Sequence, residues 1–278
     1  MRKLLAALSI TLSAAVLFAP PASAEPGIQP AGAVDVPQGP AQAWLLADLD
    51  NGRILAARNG YEPHAPASTI KALLAMVVLD QLPMTAVITA TPANTDVECS
   101  CVGVKEGRAY TVRQLLDGLL LVSGNDAANT LAEGLGGYQA AVAKMNAKAV
   151  ALGARNTHAS SPSGLDGPGM ESITTPFDLA IIYRAALHYP AFAAIVRQPS
   201  SLFPTDNGPK EITNQNQLLK RYPGTLVGKT GFTNLAQQTF VGAAQRNGHS
   251  LVVVQMFGDG DMYGQAIGLL DWGFSQYG

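Results

Sequence analysis

Lys71 is the one charge between Glu62 and Asp80, and it follows Ser68 by three positions in the otherwise apolar run "PASTIKALLAM", residues 66–76. A helix opened at Ser68 places both side chains on one face, with Cβ atoms about 5–6 Å apart. A serine hydroxyl is a weak nucleophile near neutral pH and needs a neighbouring base. A lysine held among Ala, Leu and Met loses hydration, which lowers its pKa and lets it accept a proton. The start of a helix also offers unpaired backbone N–H groups to an oxyanion. The same residues fit a plain N-cap serine and a lysine whose ammonium reaches solvent, so the pair decides nothing alone.

Two further clusters carry suitable groups. Ser123-Gly124-Asn125 interrupts a leucine-rich helical run directly after Leu119–Val122. A hydroxyl and a carboxamide separated by one glycine can both face a cleft, the first relaying a proton and the second binding a peptide amide. A helix break with Ser123 capping the next helix is the ordinary alternative. Lys229-Thr230-Gly231 follows "TLVG" and precedes Phe232. On a strand, Lys229 and Gly231 share one face and Thr230 takes the other. Lys229 could supply positive charge for a carboxylate, and the Thr230 hydroxyl could bind it directly. Gly231 would leave room for a substrate backbone, and the Phe232 N–H would be a second oxyanion donor. An ordinary Lys-Thr-Gly turn accounts for these residues equally well.

The elements that must position these groups are legible in outline. "AQAWLLADLDNGRILAARN" reads as two strands around Asp50-Asn51-Gly52. A helical run extends from Ser68 to about Leu82. The middle of the chain is mostly helical, with one helix ending at Gly153 and another running from Thr174-Thr175-Pro176 to Pro190. Residues 225–258 turn strand-like again, with a turn at Arg246-Asn247-Gly248, and a last helix covers 262–274. The expected architecture is α+β: one antiparallel five-stranded sheet flanked by helices, its early and late strands meeting across an inserted helical subdomain.

Composition sets the class. The 278 residues have a formal net charge of −2 and 47% hydrophobic content, enough for a sizeable core and without the basic footprint of a nucleic-acid binder. At the N-terminus, Arg2 and Lys3 precede the apolar block Leu4–Ala19 and then Ala22-Ser23-Ala24. Residues 1–24 therefore read as a secretory signal peptide, with a retained membrane anchor as the alternative. Residues 25–40, rich in Pro and Gly, read as a flexible leader, and 41–278 as a single catalytic domain. The expected location is outside the cytoplasm, in the cell envelope or secreted. Cys99 and Cys101 are the only cysteines, and a bridge or two free thiols both fit an exported chain. The four histidines are scattered with no HExxH, so no metal site is predicted.

Taken together, S-x-x-K at Ser68–Lys71, S-x-N at Ser123–Asn125 and K-T-G at Lys229–Gly231 resemble the active-site signature of penicillin-recognising serine enzymes. "LADLDNGRILAARNGYEPHAPASTIKALLA", "GRAYTVRQLLDGLLLVSGNDAANTLAE", "SPSGLDGPG", "TTPFDLAIIY" and "GKTGFTNLAQQTFVGAAQRNG" are similar, in order, to successive blocks of low-molecular-mass D-alanyl-D-alanine carboxypeptidases. The resemblance implies the penicillin-binding/β-lactamase-like transpeptidase fold and no cofactor. It implies peptidoglycan stem peptides ending in D-Ala–D-Ala as substrates and β-lactams as inhibitors. It makes Ser68 the acylated nucleophile, Lys71 its base and Ser123 the relay to the departing D-alanine. Asn125 would then orient the acyl-side amide, while Lys229 and Thr230 hold the terminal carboxylate.

Departures are specific. Gln237 stands where the family usually has Gly, which would narrow the space beside the cleft, and Gln215 stands where some relatives carry a carboxylate-binding arginine. The β-rich domain and amphipathic anchor of many relatives do not follow "LLDWGFSQYG", so a mature enzyme without a stable membrane anchor is expected. The same residues would serve a D,D-endopeptidase. A β-lactamase of class A needs an E-x-x-L-N string that is missing, and a non-catalytic wall-binding protein would not need Ser68, Lys71, Ser123 and Lys229 intact.

Overall fold

The structure, a computed structural model, describes residues 35–169 and 171–277. The predicted signal segment and residues 25–34 of the leader lie outside the described residues. β1 (Ala43–Asp48) and β2 (Ile54–Arg58) form the expected hairpin, with Gly52 in its turn at φ +79°. A 3-10 turn, Ala67–Ile70, leads into α1 (Lys71–Gln81). β3 (Val87–Thr89), α2 (Pro92–Thr95) and β4 (Ala109–Thr111) follow, β3 pairing with β4. α3 (Val112–Leu121), α4 (Asn125–Gly134) and α5 (Tyr138–Leu152) make up the helical insertion. Next come α6 (Pro176–Leu187) and α7 (Pro190–Arg197), then the hairpin β5 (Ser200–Thr205) and β6 (Gly208–Thr213), then α8 (Leu218–Arg221). β7 (Thr225–Thr233), β8 (Gln237–Arg246), β9 (His249–Gly258) and α9 (Met262–Ser275) complete the chain.

Local signals account for most boundaries. Thr111 and Gln114 form a reciprocal capping box at the start of α3, and the Thr175 side chain accepts from Asp178 N–H at the start of α6. Gly153 closes α5 in the left-handed conformation, φ +85°.

The five-stranded sheet has the order β2-β1-β9-β8-β7, with each neighbouring pair antiparallel. Both its faces are covered. Leu45, Val252 and Val254 pack with α1 and α6 on one side, while Trp44, Leu46 and Val253 pack with Leu269 and Leu270 of α9 on the other. That is why β1 and β9 read as continuous apolar runs rather than alternating ones. α1 is buried on every side from Lys71 to Val78, as an all-round apolar helix must be. Fully burying a residue such as Leu74 contributes about 1.5–3 kcal/mol, so the base of the site is rigidly held.

The fold differs from the sequence reading at several points, including the short β3–β4 pair. Ser68 does not open an α-helix, because Ala67 takes a left-handed φ of +47° and both the N–H and the hydroxyl of Thr69 bond to the Pro66 carbonyl. The resulting tight turn places regular helix only from Lys71 onward. The β5–β6 hairpin was not anticipated; its prolines, Pro204 and Pro209, are residues that ordinarily argue against a strand, and here they face each other in the pairing.

Candidate active site

The turn before α1 leaves Ser68 without a capping role: no side-chain cap is made at either helix start. Its Oγ instead lies 2.6 Å from Lys71 Nζ. Lys71 does not reach solvent either. It is 0% exposed, and its Nζ also contacts Asn125 Oδ1 at 2.7 Å and Ser123 Oγ at 3.3 Å. Burial pushes its pKa well below the ordinary lysine value and the nearby Lys229 pushes it further, with Asp126 opposing. Its position at the first residue of α1, where the helix dipole is positive, disfavours the cation as well. Thus the N-cap and snorkelling alternatives fail, and the buried Lys71 amine is held within hydrogen-bond reach of the Ser68 hydroxyl.

β7 fixes the other side of that turn. Thr239 Oγ1, across the sheet from Gly231, donates to the Pro66 carbonyl at 2.9 Å. A Cβ added at Gly231 would lie 2.5 Å from Thr239 Oγ1 and 2.8 Å from Ser68 N. The space anticipated for a substrate backbone is therefore occupied by the Ser68 turn itself. Gly164 is similarly tight, since at φ +83° its added Cβ would lie 2.0 Å from the Ala67 carbonyl oxygen.

Ser123 sits at the corner between α3 and α4 with φ +62°, a conformation a non-glycine residue holds only when its surroundings enforce it. The enforcement comes from the loop at 98–104. Asn125 N–H donates to the Ser100 carbonyl at 2.6 Å, and Asn125 Nδ2 donates to the Glu98 carbonyl at 2.7 Å. The Asp126 carboxylate accepts from the N–H groups of Val102, Gly103 and Val104 at 2.8–2.9 Å. Within this loop Cys99 and Cys101 form a disulfide, which resolves the choice left open between a bridge and two thiols. Nothing in the sequence ties Asp126 or the backbone N–H groups of this loop to the site.

Lys229 lies 2.8 Å from Ser123 Oγ and donates to the Thr230 carbonyl at 2.6 Å. Burial brings its pKa down to about 7. It stands behind Ser123 rather than on the cleft wall, because strand alternation turns it inward, away from the face that carries Thr230. This differs from the expectation that Lys229 holds a substrate carboxylate directly.

A cleft of about 660 Å³ opens above these groups, lined by Ser68, Ser123, Asn125, Thr230, Gly231 and Phe232, with Glu98, Leu165, Gln215, Arg221 and Tyr263 farther along its walls. Phe232 is 61% exposed at its lip. The adjoining loop is locked to β7 by a hydrogen bond from Thr233 Oγ1 to the Asp166 carboxylate. Gln237 does not narrow the cleft. It takes φ +52°, and its side chain turns back to donate to the Asn234 carbonyl at 2.6 Å. Away from the cleft, Asp48, Asp50 and His249 cluster at the strand ends, but Asp48 is engaged by Asn51 and Tyr277 and Asp50 by the Ser250 N–H.

This fold and this convergence of two serines, two lysines and an asparagine define a serine peptidase of the penicillin-binding type. Residues 31–260 match the model of peptidase family S11, D-alanyl-D-alanine carboxypeptidase. The chain is 58% identical over 257 residues to D-alanyl-D-alanine carboxypeptidase DacB2 of Mycobacterium tuberculosis (strain ATCC 25618 / H37Rv), covering 91% of this chain and 88% of that one. A crystal structure of a D-alanyl-D-alanine carboxypeptidase from Mycobacterium tuberculosis H37Rv superposes with a TM-score of 0.86 at 57% identity, over 89% of this chain and 96% of that chain. The Streptomyces K15 DD-transpeptidase superposes with a TM-score of 0.82 at 29% identity, over 87% and 100% of the two chains. The chain belongs to the D-alanyl-D-alanine carboxypeptidase family, and its activity is that of a serine-type carboxypeptidase hydrolysing the D-Ala–D-Ala bond.

Proposed function

We propose that Ser68 is the nucleophile that removes the terminal D-alanine from peptidoglycan stem peptides and that penicillins acylate it. The observation that carries this reading is the buried Lys71 Nζ, 2.6 Å from Ser68 Oγ. With Lys71 neutral, the Ser68 O–H donates to its lone pair and Oγ attacks the carbonyl carbon of the penultimate D-alanine. The oxyanion formed is held by the N–H groups of Ser68 and Phe232. Asn125 orients the acyl-side amide. The tetrahedral intermediate collapses as the C–N bond breaks, and the departing amine takes a proton from Ser123, which regains one through Lys71. Lys229 holds Ser123 in place, and Thr230 binds the carboxylate of the leaving residue. Water then attacks the acyl ester, its proton returns through Lys71 to Ser68 Oγ, and the shortened peptide leaves.

Such a substrate lies outside the cytoplasm. This agrees with reading residues 1–24 as a secretory signal, 25–40 as a leader and 41–278 as the catalytic domain. Intact mass spectrometry after brief exposure to a penicillin, beside a Ser68→Ala control, tests the nucleophile. The expected result is an adduct of one penicillin mass that the control lacks; an adduct on Ser68→Ala overturns it. Release of free D-alanine from a pentapeptide, without scission of a cross-linked dimer, distinguishes the carboxypeptidase from an endopeptidase.

A further inference from the structure

The substrate of this reaction ends in a carboxylate, which a permanent positive charge on that side of the cleft would bind more strongly than neutral donors alone. Lys71 and Lys229 do not supply it: one is fully buried and depressed, the other faces Ser123 and titrates near neutrality. Gln215 is neutral. The charged side chains lining the cleft are Glu98, Asp261 and Arg221, and Asp261 serves as the cap of α9 through the Gly264 N–H. Glu98 belongs to the loop that holds Asn125, on the acyl side.

Arg221 is placed on the opposite side by a chain of contacts that begins at Thr230. Thr230 stands directly across the β7–β8 ladder from Phe240, so the two side chains share a face. The Phe240 ring packs on Tyr263, with centroids 4.8 Å apart, and the Arg221 guanidinium lies over the Tyr263 ring at 5.7 Å from its centroid. The Tyr263 hydroxyl is itself fixed, donating to the Gln215 carbonyl and accepting from the Gln217 N–H. Among the described residues Arg221 pairs with no carboxylate, and its one side-chain hydrogen bond, to Gln217 Oε1, is long at 3.4 Å. A guanidinium stacked on a fixed ring, lining the cleft with its donors unspent, suits the two oxygens of a carboxylate.

We propose that Arg221 reads the terminal carboxylate of the substrate, acting with Thr230 as the specificity determinant on the leaving-group side. The inference rests on the reading of Ser68 as the nucleophile, which fixes where the leaving residue lies. Arg221 is exposed and packs no core, so its replacement leaves the fold intact.

The test compares D-alanine release from a stem peptide ending in a free D-Ala–D-Ala carboxylate with D-alaninamide release from the same peptide amidated at that end. Wild type prefers the acid. Arg221→Gln raises KM for the acid about tenfold and lowers the acid-over-amide preference by the same factor, as expected for one lost charge-assisted contact. Arg221→Lys restores part of that preference. A role limited to packing would change both substrates equally, and an unchanged ratio in Arg221→Gln overturns the assignment. Ser68→Ala run in parallel separates the two readings. Release by Ser68→Ala sinks the nucleophile assignment, whereas an inactive Ser68→Ala with an unaltered ratio in Arg221→Gln sinks Arg221 alone.

Discussion

Lys71 and Lys229 converge on one hydroxyl, their Nζ atoms lying 3.3 and 2.8 Å from Ser123 Oγ. Neither amine reaches bulk water, and each would meet the other's charge across a single oxygen. The site therefore resists holding both as ammonium ions, and Lys71, with its Nζ 2.6 Å from Ser68 Oγ, is the one placed to serve as the proposed base.

Removing the charge of Lys229 should raise the pKa of Lys71, since a like charge that now lowers it disappears. In Lys229→Met the acid limb of the rate of penicillin acylation is expected to move to higher pH, by about one pH unit, alongside a lower maximal rate. Stopped-flow acylation with a chromogenic penicillin across pH measures it. A limb that stays in place would show that the two amines are not coupled.

Stability should carry the same signature. Between about pH 7, where the folded Lys229 titrates, and 10.5, where a lysine in the unfolded chain does, the unfolded chain binds more protons at that amine than the folded one. Folding stability therefore rises with pH across that window and is lower on its acid side. Lys229→Met should flatten this slope, which urea midpoints at pH 7 and 9.5 would reveal. A slope unchanged by the substitution would mean that the folded amine is not depressed.

Gly231→Ala tests the approach of β7 to the nucleophile. The added methyl has no room, being 2.8 Å from Ser68 N and 3.0 Å from the Ala67 Cβ, so strand and turn must part. A displacement of order 1 Å at the reacting centre lowers rates about 10²-fold. Acylation rates falling by that order, with far-ultraviolet circular dichroism unchanged, is the expected outcome. Near-wild-type acylation would mean that the contact is slack.

The fold's main sheet is legible because its turns and caps are strong local signals, whereas each cluster of the candidate site is ambiguous alone and stands out only when S-x-x-K, S-x-N and K-T-G are read together. The turns at Asp50–Gly52 and Arg246–Gly248, the caps at Thr175 and Gly153, and the lone Lys71 in an apolar helix are all written in short windows. What escaped depends on contacts between distant segments. Lys229 and Ser123 are 106 residues apart, and only the assembled sheet shows that the lysine faces that serine. The Asp126 carboxylate gathers three N–H groups from a loop more than 20 residues earlier, and no pattern in "SGND" announces that. The sequence reads Ser68 as helical because apolar periodicity cannot register the left-handed Ala67 that precedes it and makes a 3-10 turn.

The Cys99–Cys101 disulfide should matter for the site more than for the fold. A bridge across two residues closes the smallest of loops, so its restriction of the unfolded chain is slight. Yet the carbonyls of Glu98 and Ser100, on either side of Cys99, are the ones that hold Asn125. The double variant Cys99→Ser/Cys101→Ser is expected to lose about tenfold in acylation rate while its melting temperature falls by only a few degrees. A large fall in melting temperature with acylation intact would reverse that assignment.

Gln215 offers the converse experiment, a gain of binding. Its backbone is pinned, with N–H donating to the Leu121 carbonyl at 2.9 Å and the carbonyl accepting from Tyr263 Oη at 3.3 Å, while its side chain lines the cleft near Thr230. Replacement by arginine therefore adds a guanidinium without moving the chain. Gln215→Arg should lower KM for a peptide ending in a free D-Ala–D-Ala carboxylate by several-fold, as one more charge-assisted contact allows. If Arg221 already contributes such a contact, the gain should be larger in an Arg221→Gln background, where the carboxylate is undersupplied. The double-mutant cycle on KM measures this directly: a KM unchanged by Gln215→Arg in both backgrounds would place the carboxylate beyond the reach of residue 215.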